Sequence, residues 1–366
     1  MDENIKINSK ESQPLTWFET PNPYDDVILS TRVRLLRNLA DFPFVKKMSD
    51  DDKDRVKSLT YDCFSSMPEY SFINYEDLSP TGTDLLHDKN IIGARAFSAV
   101  VMNTEDESLS CLVNEKEHIK ISAFSSGLDC ETPMEKVYKL DEYLQTKLQF
   151  AASFDFGYLT SRIKDCGSGM KITLRIFIPS IVLGGQLDII SNLLKEKKYC
   201  LKPVFQLNGD GKFSNCIFDV YSGNAIEGTE LDQMAAIQSI GLQIAKTERK
   251  IRQEFADNNP TVVLNFFKQN FAKAMYSLLL DYEDAVCVIS AVKWGLAANL
   301  INGISDSELN ALYYRTKLGH LKYLCSNFNF TFEDDIKESV KLQVKRLRAI
   351  VIQQAFEGIV NEDSIS

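Results

Sequence analysis

The clearest pattern in the first part of the chain is an alternation of apolar and polar residues over positions 171–176, which two further apolar residues, Phe177 and Ile178, extend. Isoleucine and leucine occupy every second position, Lys171, Thr173 and Arg175 lie between them, and Pro179 ends the run. Alternation with a period of two is typical of a half-buried strand. Three further segments predict strands, the first two of them as a hairpin: residues 98–102, 110–113 and 215–221. The chain up to about residue 225 therefore predicts strands with one packed face and one face that can meet a ligand.

After Gly228 the pattern changes to that of long helices. Apolar or small residues recur at intervals of three to four positions, at Leu231, Met234, Ile237, Gly241 and Ile244. Pro260 ends that helix or opens the next one. A helix stop is predicted at residues 302–303, followed by a capping box made by Ser305 and Glu308.

The last predicted helix is amphipathic. Its apolar stripe consists of Ile336, Val340, Val344, Leu347 and Val351. Basic residues lie outside the stripe, at Lys337, Lys341, Lys345 and Arg348. We interpret this as a packed helix with a solvated basic face. A polar, proline-punctuated start and the change of pattern near residues 250–260 predict a loosely ordered arm at 1–24, a domain at 25–255 and a helical domain at 256–366.

Composition excludes several classes of protein. The formal net charge is −10 and the pI is near 5.0, which argues against a nucleic-acid or anionic membrane surface. No signal peptide opens the chain, and no apolar run approaches the roughly 20 residues that span a bilayer, so we expect a cytoplasmic protein. The eight cysteines and three histidines are too scattered for a zinc or disulfide framework. No metal ligands are predicted.

The candidate chemistry begins with the arginines of residues 30–38. Arg32 and Arg34 are two positions apart, so in an extended segment both guanidinium groups project from one face and could hold phosphates. Any surface strand can also carry two arginines, and the spacing alone does not decide between these interpretations.

Three motifs resemble those of one family. Residues 30–38 resemble its Ser-Ser-Arg-x-Arg-x-x-Arg-Asn segment, and residues 114–121 are similar to its Asn-Glu-Glu-Asp-His-hydrophobic-Arg-Ile segment. Residues 156–161 and 167–171 resemble its Gly-Tyr-Leu-Thr-Ser segment and the following Gly-Thr-Gly-x-Arg. The three motifs and their order along the chain resemble those of the ATP:guanidino phosphotransferases. Within that family the resemblance is closest to the bacterial McsB-type protein-arginine kinases. The resemblance implies an α+β fold, with an antiparallel sheet flanked by helices followed by a helical domain that forms homodimers in relatives.

The resemblance also implies a nucleotide site. The phosphate-binding positions of the family fall on Ser30, Thr31, Arg32, Arg34, Lys120, Lys171 and Lys202. The three lysines stand where the family has arginine, and a lysine supplies a mobile point charge without the planar bidentate fork. We therefore expect weak binding of ATP or ADP with Mg²⁺.

The catalytic carboxylates of the family are not matched. Lys116 stands at the position of one catalytic glutamate, and the other position falls near Leu207 and Asn208. No glutamate occurs between residues 196 and 227, and the nearest acid there is Asp210. If residues 114–120 were extended, Glu115 and Glu117 would face away from Lys116 and Lys120.

Two other motif positions also depart from the family. The reactive cysteine of the family falls on Arg162, and Cys166 is interpreted as a bystander. The phosphoarginine-pocket motif of the helical domain, Arg-Asp-x-x-Arg-Ala, falls on residues 334–339 and lacks both arginines.

Two functions follow from these matches and mismatches. The first is a catalytically impaired homologue, a pseudokinase, that keeps a basic phosphate pocket and acts with a protein partner in a regulatory or scaffold role. The second is an active protein-arginine kinase that transfers the γ-phosphoryl group through positioning and charge neutralisation.

Overall fold

The structure is a computed structural model that describes residues 16–205, 216–223 and 228–361. Within these residues, the main sheet is antiparallel with the order β2-β3-β4-β5-β1-β8-β10-β9. Its strands are β1 (Ile28–Arg37), β2 (Tyr70–Asn74), β3 (Ala99–Asn103), β4 (Leu109–Val113), β5 (Ile119–Ser126), β8 (Met170–Phe177), β9 (Tyr199–Pro203) and β10 (Ile217–Ser222). Short pairs are formed by β6 (Ala152–Ser153) with β7 (Gly157–Tyr158), and by β11 (Ile301–Asn302) with β12 (Val360–Asn361). The predicted hairpin is confirmed as β3 and β4.

Helices cover both faces of this sheet and form the C-terminal part. The helices before residue 228 are α1 (Asp50–Phe64), α2 (Pro80–Asp88), α3 (Glu131–Gln145), α4 (Pro179–Leu183) and α5 (Leu187–Glu196). The later ones are α6 (Glu230–Asn258), α7 (Pro260–Tyr276), α8 (Tyr282–Ala297), α9 (Asp306–Arg315), α10 (Leu318–Asn327) and α11 (Val340–Phe356). The α+β prediction is thus confirmed. None of these helices combines the length and the apolar character needed to span a bilayer.

The central strand β1 sorts its side chains between two environments. Val33 and Leu35 are fully buried in the main core, together with the apolar faces of α3 and α6. Helix α6 approaches the sheet closely at Gly241, where a Cβ atom would lie 3.0 Å from the side chain of Leu174 on β8. Because strand side chains alternate, Arg32 and Arg34 project from the opposite face.

The predicted N-terminal arm contributes to that opposite face in its described part. A short 3-10 helix, Trp17–Glu19, buries Trp17 and Phe18. Trp17 stacks on Phe124 of β5 with a centroid distance of 5.1 Å, and Phe18 stacks on Tyr314 of α9 at 4.7 Å. Residues 16–24 therefore join the sheet to the helical part, and residues 1–15 lie outside the described residues.

The C-terminal helices agree with the sequence in some details and correct others. Ser305 caps α9 with Glu308 as predicted, whereas α8 ends at Ala297, before the predicted stop at residues 302–303. The prediction that the basic side chains of the last helix are solvated was wrong for Arg348. This arginine is buried and donates hydrogen bonds to the carbonyl oxygens of Thr316 and Leu280. The last helix also begins at Val340, so Ile336 precedes it.

Candidate functional site

The register of the central strands gathers basic side chains on one face of the sheet. Arg34 on β1 lies directly opposite Ser122 on β5 and Lys171 on β8, and Lys120 lies opposite Leu36. Opposite residues of antiparallel strands project to the same face. Arg32, Arg34, Lys120 and Lys171 therefore form one group, which we call the basic face.

The two arginines of the basic face are half-buried, and the nearest carboxylate of their pocket, Asp219, is bound by Arg175. Arg34 donates to the Thr173 hydroxyl at 3.0 Å, and Arg32 reaches the carbonyl oxygen of Asn90 at 3.4 Å. Among the residues that the structure describes, no carboxylate lies within 4 Å of either guanidinium, and Nε of Arg34 has no hydrogen-bond partner. Burial, and next the charge of Arg34, lower the pKa of Arg32 to about 9. Buried charges are normally paired, so this arrangement favours an anionic ligand.

The other predicted phosphate-binding residues divide between the two faces. Ser30 lines a narrow pocket beside Arg32, and Lys202 is exposed on β9, opposite Asp219. Thr31 points the other way, because its buried hydroxyl donates to the carbonyl oxygen of Gly127 at 2.7 Å. The geometry therefore does not bring Thr31 to the basic face.

A cavity of about 440 Å³ adjoins the narrow pocket. It lies between the sheet and the C-terminal helices, and Asn90, Arg175 and Tyr314 line both spaces. Its other walls include the aromatic rings of Phe205, Tyr282 and Tyr313. The cavity offers an apolar, ring-lined compartment directly beside the arginines. Sequence reasoning missed it, because its walls come from distant segments.

The segment with the predicted catalytic mismatch is bent. Residues 114–118 form a bend, and Asn114 has φ +54°, so the alternation expected for an extended run does not apply. Glu115 lies 3.4 Å from the Lys120 ammonium, on the same side as the basic face, and our expectation that it would face away was wrong.

Glu117 is a buried structural carboxylate. It accepts hydrogen bonds from the Asn38 amide at 2.7 Å, from the Ser161 backbone N–H at 2.8 Å and from the Ser161 hydroxyl at 2.6 Å. These bonds tie β1 to the loop before β8. A carboxylate that is fully buried and accepts three hydrogen bonds is not available as a base for a bound substrate.

Lys116 belongs to an ion cluster centred on the buried carboxylate of Asp165. The carboxylate of Asp165 lies 2.5 Å from the Lys171 ammonium, 2.8 Å from Nε of Arg162 and 3.3 Å from the Lys116 ammonium. Burial alone would raise the pKa of Asp165, but hydrogen bonds and charges from Arg162 and Lys171 outweigh it and lower this pKa to about 2. No sequence pattern predicted this cluster, because Asp165 belongs to none of the matched motif positions.

Two predictions remain as they were, for different reasons. The loop with Leu207, Asn208 and Asp210 lies outside the described residues. Cys166 is buried, and its sulfur lies 3.6 Å from the Thr160 hydroxyl within the same loop, so it contacts its own loop and not the basic face.

Sequence comparisons find related proteins. The sequence model described as ATP:guanido phosphotransferase, C-terminal catalytic domain, matches residues 51–251. A protein-arginine kinase of Halothermothrix orenii is 23% identical over 337 residues, covering 90% of this chain and 95% of the relative. A protein-arginine kinase of Symbiobacterium thermophilum is 25% identical over 322 residues, covering 84% of this chain and 89% of the relative.

Solved structures show the same fold at lower identity. A lombricine kinase superposes with a TM-score of 0.55 and 10% identity, covering 67% of this chain and 74% of that one. The substrate-free duplicated taurocyamine kinase from Schistosoma mansoni superposes with a TM-score of 0.56 and 15% sequence identity. The superposition covers 72% of this chain and 41% of that one. Since the family model spans more than half of its residues, the chain belongs to the ATP:guanido phosphotransferase family.

Proposed function

We propose that this protein-arginine kinase-like homologue keeps a functional nucleotide site, has lost efficient phosphoryl transfer, and acts in the cytoplasm as a regulatory or scaffold protein. The observation that carries the proposal is the pair of half-buried arginines, Arg32 and Arg34, on one face of β1: among the described residues no carboxylate lies within 4 Å of either guanidinium, and Nε of Arg34 has no hydrogen-bond partner. The carboxylate of Asp219 lines the narrow pocket beside Arg32, but Arg175 already binds it through two hydrogen bonds. Phosphates supply the missing negative charge through charge-assisted hydrogen bonds.

The neighbouring cavity fits the rest of a nucleotide. Its volume of about 440 Å³ and its aromatic walls suit a nucleobase and ribose, while Asn90 and Arg175 connect it to the phosphate side. Mg²⁺ would enter with the nucleotide, because Mg²⁺ sites commonly combine substrate phosphates and water with only one or two carboxylates. The ligand class is therefore ATP or ADP with Mg²⁺.

Loss of catalysis is inferred from the carboxylates. Guanidino phosphorylation needs an acid group that orients the guanidinium and accepts its proton. Lys116 occupies the family position of one such group, and it is held by Asp165 and by Glu117 at 3.9 Å. An ammonium group repels a guanidinium and cannot take its proton.

One observation favours the alternative, an active protein-arginine kinase. Glu115 lies 3.4 Å from the Lys120 ammonium, so a carboxylate does stand near the phosphate side of the basic face. If Glu115 orients the substrate guanidinium and accepts its proton in place of the missing glutamate, the chain phosphorylates arginine side chains of a protein substrate. The rate at which the native chain forms phosphoarginine separates the two functions.

We predict that Mg²⁺-ATP binds the native protein weakly and that Arg32→Ala with Arg34→Ala abolishes binding. Hydrogen bonds to charged groups contribute about 1.5–3 kcal/mol each, so loss of both arginines weakens binding by about 100-fold or more. Calorimetry and the ligand-induced rise in melting temperature measure the effect. The control is Arg95→Ala, at an exposed arginine. A native protein that millimolar nucleotide does not stabilise contradicts the proposal.

We also propose that the helical part mediates formation of a homodimer. Val344 and Leu347 of the predicted stripe are buried in the domain's own core, which leaves Val340 at 55% exposed as its available member. Tyr276 and Leu278 are also exposed, at 84% and 67%.

We predict that light scattering at tens of micromolar gives a dimer mass, and that Tyr276→Ser with Leu278→Ser shifts it toward monomer. Loss of exposed apolar area removes the driving force for association. Phe154→Ser, at a fully exposed phenylalanine on the sheet part, is the control. A strictly monomeric native mass rules out this interface.

A further inference from the structure

Asp165 lies where an anionic ligand of the basic face would be expected to bind. Its side chain is 1% exposed, and it comes from the short 3-10 helix Ile163–Asp165 just before β8. One carboxylate oxygen contacts the Lys171 ammonium at 2.5 Å, and the other contacts Arg162 and Lys116 at 2.8 and 3.3 Å. Both oxygens thus bind cations, as the oxygens of a phosphate would.

We propose that Asp165 is a built-in counter-anion that competes with the phosphates of a nucleotide for Lys171 and so sets the anion affinity of the basic face. The proposal rests on the proposed nucleotide site and adds a residue that determines how tightly that site binds.

The arrangement of charges on the basic face supports this role. Lys171 lies directly opposite Arg34, so an anion bridging these two residues must approach Asp165. Burial lowers the pKa of Arg34, and the negative charges of Asp219 and Asp165 oppose this lowering. Like charges at such short range repel strongly in a partly buried site. Asp165 therefore weakens binding both by holding Lys171 and by repelling the incoming phosphate.

Asp165 also divides the basic face into two halves. Lys171 is paired with Asp165 and Lys120 with Glu115, whereas among the residues described no carboxylate lies within 4 Å of the guanidinium of Arg32 or Arg34. A nucleotide is then held mainly by the two arginines. This gives a physical reason for weak binding that is separate from the replacement of arginine by lysine.

A purely structural role makes the opposite forecast. If Asp165 only fixed the loop before β8, then Asp165→Asn would lower the melting temperature and leave anion affinity unchanged or reduced. A counter-anion role predicts a lower melting temperature in anion-free buffer, tighter anion binding, and a larger stabilisation by added anion than in the native protein.

The experiment uses the full chain and two probes, inorganic pyrophosphate and Mg²⁺-ATP. We expect Asp165→Asn to bind both about 10- to 100-fold more tightly in calorimetry, because one close negative charge has been removed. Asp106→Asn is the matched control, since it removes a carboxylate that pairs with Lys136 elsewhere. Adding Lys171→Gln to Asp165→Asn is expected to cancel the gain.

A second variant keeps the test decisive if the single substitution Asp165→Asn folds poorly. Asp165→Asn with Lys116→Gln removes one charge of each sign from the cluster, and it should show the same gain. If the native protein binds and neither variant binds more tightly, the counter-anion role is wrong while the nucleotide site stands. If neither the native protein nor the variants bind either probe, the nucleotide site itself is wrong and this inference falls with it.

Discussion

With Mg²⁺-ATP and an arginine-rich protein substrate, the native chain is expected to form phosphoarginine about 100- to 10,000-fold more slowly than a relative that keeps its general base. The reason is Lys116, whose ammonium repels the attacking guanidinium and cannot accept its proton. Mass spectrometry or a phosphoarginine antibody, applied to a time course, measures the rate.

The ion cluster changes the rescue that the sequence alone would suggest. Lys116→Glu places a third carboxylate beside Asp165 and Glu117, which lie 3.3 and 3.9 Å from the native ammonium. Like charges so close raise each other's pKa and destabilise the site. We therefore expect little activity from Lys116→Glu alone and partial recovery from Lys116→Glu with Asp165→Asn.

Full recovery is not expected from that pair, because the second glutamate position is still unfilled. Adding Leu207→Glu or Asn208→Glu tests the remaining loss. Lys164→Glu, at an exposed neighbouring lysine, controls for a general change of charge. Robust phosphorylation by the native chain that disappears in Glu115→Gln or Asp210→Asn would show that the acid has moved, and the active-kinase alternative would stand.

The sequence predicted what depends on local periodicity and spacing. The alternation at residues 171–176 identified β8, which runs from Met170 to Phe177. The two-residue spacing of Arg32 and Arg34 placed both on one face of β1, because the period of a strand is fixed by its geometry. Ser305 and Glu308 marked the start of α9 by a short-range capping interaction.

Features that depend on long-range approach were not predictable in this way. The bend at 114–118 is fixed by buried bonds from Asn38 and Ser161 to Glu117, and these residues are distant in sequence. Arg348 was assigned to solvent by helical spacing, but it lies where carbonyl groups of two other segments meet. A local pattern predicts which side of a helix or strand is polar. It does not predict which distant segment packs against that side.

Arg37 illustrates the same limit for the arginine motif itself. It is the third arginine of residues 30–38, yet it binds Asp141 of α3 through two parallel bonds of 2.9 Å and donates to the carbonyl oxygens of Leu36 and Ser168. Its guanidinium carbon lies 3.6 Å from the centroid of the Tyr158 ring. This arginine therefore holds the sheet, α3 and the loop before β8 together, and phosphate has no access to it.

Asp141→Ala is expected to lower the free energy of unfolding by about 3–5 kcal/mol, because it leaves the buried guanidinium of Arg37 without its counter-charge. Both side chains are 1–2% exposed, so water cannot replace the lost carboxylate. Urea denaturation followed by circular dichroism measures the loss. Asp334→Ala, which breaks the exposed pair with Lys337, should leave the stability nearly unchanged.

A double variant separates the charge from the packing. Arg37→Met with Asp141→Leu replaces the pair by apolar side chains, and exchange of a buried ion pair for apolar residues is often neutral or stabilising, so it should recover much of the loss. Nucleotide affinity should fall little in Asp141→Ala and in Arg37→Met with Asp141→Leu. In contrast, it should fall strongly in Arg32→Ala with Arg34→Ala. A loss below about 1 kcal/mol in Asp141→Ala would mean that Arg37 finds another acceptor or solvent. A large fall in nucleotide affinity at unchanged stability would instead place Arg37 with the phosphate-binding arginines.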